Sequence, residues 1–217
     1  MQTNGKHRLR DVKFLTESTY ILQMDRNGLE FEAGQHILLG ADGDLNQREY
    51  SIYSGNNEEF LEVLIKEVDD GDVSIKLKDI QPGNYLQVEG PLGFFSLDEK
   101  LIPNHKFLFV SSGTGISPFH CMVKSHPELD YTLLHGVRYG KEGYESHHYD
   151  KNRYIKCTSG DQTGDFAGRV TDYLLKHPID KSTICYFCGN FKMIREAMDI
   201  LDKKGIPHNQ LHAEVYF

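Results

Sequence analysis

Over the first hundred residues, apolar and polar positions alternate in short runs divided by turn-forming residues. HRLRDVKFLTES, TYILQMD and QHILLGAD read as strands, broken at Arg26-Asn27-Gly28 and Asp42-Gly43-Asp44. EEFLEVLIKEV adds another. The stretch DDGDVSIKLKDI departs from this rhythm, because Val73, Ile75, Leu77 and Ile80 follow an Asp/Gly-rich turn. That pattern predicts a short helix opening after Gly71, and PGNYLQVEGPLG then returns to strand and turn. Many short strands at regular spacing with one helix predict a closed barrel.

From about residue 106 the rhythm changes. KFLFVSS, YTLLHGVR, RYIKCTS, STICYFCG and HNQLHAEVYF read as strands. Between them GTGISPFHCMVKSH reads as a loop and helix, ESHHYDK as a short helix, and GRVTDYLLKH and NFKMIREAMDILDKKG as helices. Strands alternating with helices predict a parallel sheet covered on both faces. The link LDEKLIPNH, with Pro103, divides the chain into domains 1–100 and 101–217.

Composition narrows the classes. With 217 residues, 39% hydrophobic and 26% charged, the chain has apolar matter for two modest cores. A net charge of −8 repels phosphate backbones and anionic lipid, so no nucleic-acid or membrane partner is expected. No apolar run approaches the roughly 20 residues needed to span a bilayer. MQTNGKHRLR lacks the apolar core of a signal peptide, so a cytoplasmic location is expected. Cys185 and Cys188 have a spacing shared by zinc and dithiol sites, but no second CxxC or His pair completes a metal set. His147-His148 are adjacent, do not share a helix face, and read as a solvated loop; no metal is expected.

Three segments carry chemistry. Arg48-Glu49-Tyr50-Ser51-Ile52-Tyr53-Ser54 places a cation, an aromatic and a hydroxyl close together on a strand. It reads either as a phosphate-and-ring site or as a barrel strand with a surface charge. Ser111-Ser112-Gly113-Thr114-Gly115-Ile116-Ser117-Pro118 follows a buried strand, and its glycines let backbone approach a pyrophosphate at a helix start. It is not GxGxxG, because no third glycine follows at that spacing. Cys188-Gly189-Asn190 ends another strand before a helix, the place where open α/β sheets bind ligands. Cys188 alone is equally a small core residue.

Together these motifs resemble the ferredoxin–NADP reductase family over nearly the whole chain. The match runs in order through Arg48-x-Tyr50-Ser51, Gly71-Asp72-Val73-Ser74, Pro91-x-Gly93-x-Phe95, Gly113-Thr114-Gly115-x-x-Pro118, and Cys188-Gly189-Asn190 with Met193. It ends in Glu214-Val215-Tyr216-Phe217. The resemblance implies an α+β two-domain fold: an antiparallel six-stranded Greek-key β-barrel for FAD, then a Rossmann-like parallel-sheet α/β domain for the nucleotide. Arg48 and the helix opening at Gly71, Val73 and Ser74 would hold the FAD pyrophosphate. Tyr50 would lie on one flavin face, Ser51 would hydrogen-bond near N5, and Tyr53, Ile65 and Lys66 would line the FAD path.

On the nucleotide side, Thr114, Gly115, Pro118, Gly189 and Met193 would cradle NADP. Cys188 would sit beside the nicotinamide C4, and Glu214 would position it or relay a proton. Tyr216 would shield the flavin as a movable gate. Phe217 would pack on the FAD adenine, or else fray as a terminus. Arg138 and Arg169 match family positions on the NADPH 2′-phosphate, with Tyr144 as an adenine stack. Family members using NADPH often carry Arg after the third strand's Ser/Thr, whereas Ser159 here precedes Gly160-Asp161, and an acid disfavours phosphate. NADPH is expected over NADH on the two arginines.

The implied activity is electron transfer between NADPH and ferredoxin or flavodoxin, by a monomer or weak dimer. No four-cysteine run of iron–sulfur spacing occurs, so electrons must leave for a separate partner. Lys203, Lys204, Arg10 and Lys13 are the candidates for a basic docking patch. The alternatives are an NAD(P)H:flavin reductase that releases its flavin, the reductase component of a multi-chain oxygenase, and a non-enzymatic module on the same fold.

Overall fold

The computed structural model describes residues 3–68 and 71–216. The chain forms two compact units, one of residues 1–97 with 117–125, the other of residues 98–116 with 126–217.

The first unit is a barrel of β1 (Thr3–Phe14), β2 (Thr19–Asp25), β3 (His36–Ala41), β4 (Arg48–Ser51), β5 (Phe60–Lys66) and β6 (Tyr85–Leu92). Helix α1 (Asp72–Asp79) stands between β5 and β6 in the chain. The strands run antiparallel in the order β4-β3-β6-β1-β2-β5. Thus β6 crosses back to lie between β3 and β1. A bridge between Ile52 and Val63 and a bond from Tyr53 N–H to the Glu62 carbonyl (2.7 Å) bring the two edges together. Alternation produces this closure. On β6, Leu86 and Val88 are buried while Gln87 and Glu89 are not, so one apolar face is turned inward.

The second unit is a wholly parallel sheet. Its strands are β7 (Phe107–Ser112), β8 (Tyr131–Val137), β9 (Tyr154–Thr158), β10 (Phe166–Ala167), β11 (Ile184–Asn190) and β12 (Leu211–Tyr216). The helices are α2 (Ser117–Ser125), which packs with the first unit, then α3 (Val170–Lys176) and α4 (Phe191–Lys203). The order is β10-β9-β8-β7-β11-β12, so the direction of winding reverses between β7 and β11. The segment 145–151 forms only a short 3-10 turn at Ser146–His148, and the two-residue β10 is a strand the hydropathy pattern does not predict.

Each sheet face has its own chemistry. Leu108, Val110, Leu134, Cys157, Cys185 and Phe187 form an aliphatic core with Val170 and Leu174 of α3 and Ile194, Ala197 and Leu201 of α4. The helical residues recur at the spacing that puts them on one stripe. The opposite face carries Phe107, Phe109, Tyr131 and Tyr186, with ring centroids 5.9–6.4 Å apart. Among the described residues, no helix is long and apolar enough to cross a membrane.

Candidate functional site

In the barrel unit, Gly71, Val73 and Ser74 of the expected FAD residues form the start of α1. Gly71 caps that helix without a side-chain bond, and among the described residues no side chain closes off the first-turn N–H groups. A Cβ at Gly71 would lie 2.7 Å from Ser74 Oγ and 2.9 Å from the Val68 carbonyl oxygen, so the turn needs glycine. Val73 and Ser74 are buried, and the Tyr20 hydroxyl donates to the Ser74 carbonyl from below.

The turn before β4 is laced to this helix. Lys76 bridges Asp44 (2.8 Å) and Asp72 (2.9 Å), and Asn46 Nδ2 donates to Asp72 (3.3 Å). Asp72 would otherwise oppose an anion at the helix start, and Lys76 offsets its charge. Arg48, first in β4, is exposed, and its guanidinium donates to the Gln47 carbonyl (2.9 Å) with no carboxylate partner among the described residues. Tyr50 is half-buried; burial pushes its phenol up to about 12 against the opposing charge of Arg48. Ser51 and Ile65 are buried, and Lys66 is exposed at the end of β5. A helix start without a cap, an arginine without an acid and a half-buried aromatic fit a pyrophosphate carrying a planar ring.

Tyr53, expected on the FAD path, is wholly buried instead. Its ring stacks on His120 of α2 (3.7 Å, 5° between planes), and its carbonyl accepts from His120 Nδ1 (2.7 Å). It holds α2 to the barrel. Pro118, the second residue of α2, is buried in the same unit.

In the sheet unit, the nucleotide motifs meet at the winding reversal between β7 and β11, where such folds bind ligands. Gly113 is left-handed at φ +55°, and Gly113–Ile116 forms a 3-10 turn. A Cβ at Gly115 would come within 2.5 Å of the Cys188 carbonyl oxygen, and one at Gly189 (φ +125°) within 2.5 Å of Ser112 Oγ. Ser112 Oγ also accepts from the Asn190 N–H (3.0 Å). The two loops therefore touch backbone to backbone, with half-buried Thr114 between them and solvent. The start of α4 is already capped, because Asn190 Oδ1 accepts from the N–H groups of Lys192 (3.0 Å) and Met193 (3.4 Å). Met193 is half-buried against the aliphatic core.

A polar row crosses the carboxyl end of the aromatic face. Strand register puts Glu214 beside Cys188, Cys188 beside Ser111, Ser111 beside His135, and His135 beside Lys156. Cys188 is buried, and burial and the neighbouring Glu214 push its thiol well up while the Tyr216 hydroxyl bonds it. Such a thiol stays protonated and is no nucleophile. Cys185 lies in the aliphatic core on the opposite face, so the CxxC does not form a pair. Glu214 and Tyr216 are half-buried; Phe217 lies outside the described residues.

Arg138 follows β8 and Arg169 precedes α3; both are exposed, their backbone N–H groups donate to Glu142 (3.1 Å) and Asp172 (2.8 Å), and neither guanidinium has a carboxylate partner among the described residues. Gly136, whose Cβ would meet Val170 at 3.0 Å, packs the end of β8 onto the start of α3. Gly160 donates its N–H to the Arg138 carbonyl (2.7 Å), and a Cβ there would meet that carbonyl at 2.7 Å. Asp161 is occupied: its carboxylate accepts from the N–H of Gly140 (3.0 Å) and from the N–H and hydroxyl of Thr163 (3.2 and 3.0 Å), which hold it below the usual carboxylate range. Tyr144 is buried at 2% exposure, 5.8 Å from the His135 ring, so a nucleotide stack on it would require the ring to be uncovered.

His135, Tyr154 and Ser112 belong to this site's framework, yet the linear pattern did not single out the first two. The signal in the sequence was a histidine following the apolar Leu133-Leu134 of β8 and a tyrosine opening β9.

Residues 7–97 match the oxidoreductase FAD-binding domain family, and residues 109–199 match the oxidoreductase NAD-binding domain family. The chain is 26% identical over 240 residues to a ferredoxin–NADP reductase of Azotobacter vinelandii, covering 95% of this chain and 92% of that one. It is 28% identical over 211 residues to a flavodoxin/ferredoxin–NADP reductase of Escherichia coli (strain K12), covering 85% and 84%. A ferredoxin NADP+ reductase from Neisseria gonorrhoeae, solved with bound FAD and NADP, shares the fold with a TM-score of 0.87 at 21% identity over 99% of both chains. With both domain matches in the order of the two units, this FAD-dependent oxidoreductase belongs to the ferredoxin/flavodoxin–NADP reductase family.

Proposed function

We propose that the chain oxidises NADPH and delivers the electrons to a one-electron carrier of the ferredoxin or flavodoxin type, in the cytoplasm. FAD binding falls within residues 1–100 and nucleotide binding within 101–217. The observation that carries the reading is a pair of glycine-built turns, the helix start at Gly71 and the interlocked loops at Gly115 and Gly189, which support backbone binding of a pyrophosphate in each unit. Bound FAD supplies the redox chemistry, accepting a hydride and releasing electrons singly.

The residues do the rest. Arg48 and the first turn of α1 fix the pyrophosphate, Tyr50 backs the flavin ring, and Ser51 offers a hydrogen bond near N5. Thr114 and Gly115 bind the nucleotide pyrophosphate. Protonated Cys188 gives the nicotinamide a neutral wall, Glu214 orients it, and the Tyr216 ring yields to admit it. Arg138 and Arg169 recognise the 2′-phosphate, and the prior engagement of Asp161 by loop amides removes the acid's objection to it.

Anaerobic stopped-flow mixing with NADPH and NADH in parallel is the test. A desalted yellow protein whose flavin bleaches faster with NADPH is expected. Arg138→Ala should raise KM for NADPH about tenfold and leave NADH unchanged. A colourless preparation would favour a flavin-releasing reductase, and a yellow one that never bleaches would favour a non-enzymatic module.

A further inference from the structure

Beneath the Gly113 loop, the polar row passes through a buried side chain whose partners the nucleotide chemistry does not itself explain. His135 is 0% exposed, and both ring nitrogens are bonded. Nε2 lies 2.9 Å from the Gly113 carbonyl oxygen, and Nδ1 lies 2.9 Å from the Tyr154 hydroxyl. A carbonyl only accepts, so Nε2 carries the proton and donates. Nδ1 then accepts, and the Tyr154 hydroxyl donates to it. Tyr154 is itself fixed, stacked on buried Tyr149 at 5.1 Å and 7°.

From this geometry we infer that His135 is a positioning residue for the dinucleotide: it turns the Gly113 peptide so that the loop presents its backbone N–H groups to the pyrophosphate. The C=O and N–H of one planar trans peptide point in opposite directions. Tying the Gly113 carbonyl down to the sheet therefore turns the Thr114 N–H away from it. Gly113 supplies the left-handed backbone this turn needs, with φ +55°. Burial holds the ring neutral, with its pKa lowered to about 4, so the donor stays at Nε2 through the physiological range. The inference rests on reading this chain as a nicotinamide-nucleotide reductase. It concerns the part of the ligand that NADPH and NADH share, so it predicts an effect blind to the 2′-phosphate.

The test uses the full FAD-loaded chain. NADP+ and NAD+ binding are measured by calorimetry, and KM and kcat with NADPH and NADH by flavin reduction. His135→Leu, or His135→Asn if the first does not fold, should weaken both nucleotides about tenfold in Kd and KM. The kcat and FAD content should stay near wild type, while Tm falls by a few degrees as the buried Tyr154 hydroxyl loses its acceptor. His135→Gln, whose amide N–H reaches the same carbonyl, should recover to within about twofold. Nitrogen NMR of the wild type should show a neutral ring protonated at Nε2 at neutral pH. Several results would overturn the inference: unchanged nucleotide affinity in a folded His135→Leu or His135→Asn variant, loss confined to NADPH, a fall in kcat alone, or an Nδ1-protonated ring. The outcomes for the reductase reading are separate. Wild type that binds nucleotide without flavin reduction sinks that reading while the affinity series still decides the role of His135; wild type that binds neither nucleotide sinks both.

Discussion

His135 makes acid sensitivity a property of one side chain. In the fold its pKa is lowered to about 4 by burial, with Lys156 adding to the effect and the Gly113 carbonyl and Glu142 opposing it. The unfolded ring titrates near 6.5. As pH falls, the unfolded state binds its proton first, so the group's stabilisation is complete above about pH 6.5 and drains away towards pH 4. The whole gap is worth about 3 kcal/mol. Urea unfolding of wild type and His135→Gln should show the stability difference shifting against wild type by about 2 kcal/mol between about pH 7 and about pH 5. His7 and His212 are also lowered by burial and remain in both proteins, so they cancel from the comparison. Parallel pH dependence in the two proteins would show that His135 titrates alike folded and unfolded.

At the scale of elements, the loops after β7 and β11 are held by backbone contacts and the helix that follows by one side chain. Asn190→Ala removes an N-cap bonded to two N–H groups and should cost about 1 kcal/mol. In a protein of this size that is a fall in Tm of about 2–4 °C, readable by calorimetry. Most elements were legible because their causes are local. Gln87 and Glu89 alternate with Leu86 and Val88 on β6, Gly71 opens α1, and Ile194, Ala197 and Leu201 stripe α4. What escaped depends on distant register. The two residues of β10 are too few to show a period, and the burial of Tyr53 goes with His120, 67 residues away in sequence. The row Glu214–Cys188–Ser111–His135–Lys156 draws on five strands, and no window of the chain contains it. The glycines showed in the motif; the close approach of Gly115 to the Cys188 carbonyl, which leaves no room for a Cβ, did not.

At the scale of the whole molecule, a net charge of −8 works against long-range attraction of an acidic carrier of the kind proposed. The basic residues proposed for steering are partly committed. Arg10 is paired with Asp25 at 2.5 Å, and Lys204 Nζ donates to the His177 carbonyl at 2.9 Å. Long-range attraction should therefore be weak. Raising salt from about 0.01 M to about 0.15 M shortens the screening length from roughly 30 Å to roughly 8 Å. The second-order rate with an acidic carrier should stay level or rise over that range in stopped-flow measurements; a steep fall would reveal a basic patch that these pairs do not suggest.

The placement of α2 has a consequence for anyone who tries to take the protein apart. Residues 117–125 follow the nucleotide loop in sequence but belong to the barrel. Phe119 sits 6.1 Å from Phe95, His120 stacks on Tyr53, the Met122 methyl lies where Gly34 has no Cβ, and Lys124 pairs with Glu58 at 2.6 Å. A single cut anywhere between the two halves leaves one fragment with its interior open. Expressed alone, residues 1–97 should aggregate, while the same stretch joined by a short linker to 117–125 should stay monomeric. A boundary drawn in sequence thus cannot separate the two cores, although each unit has its own.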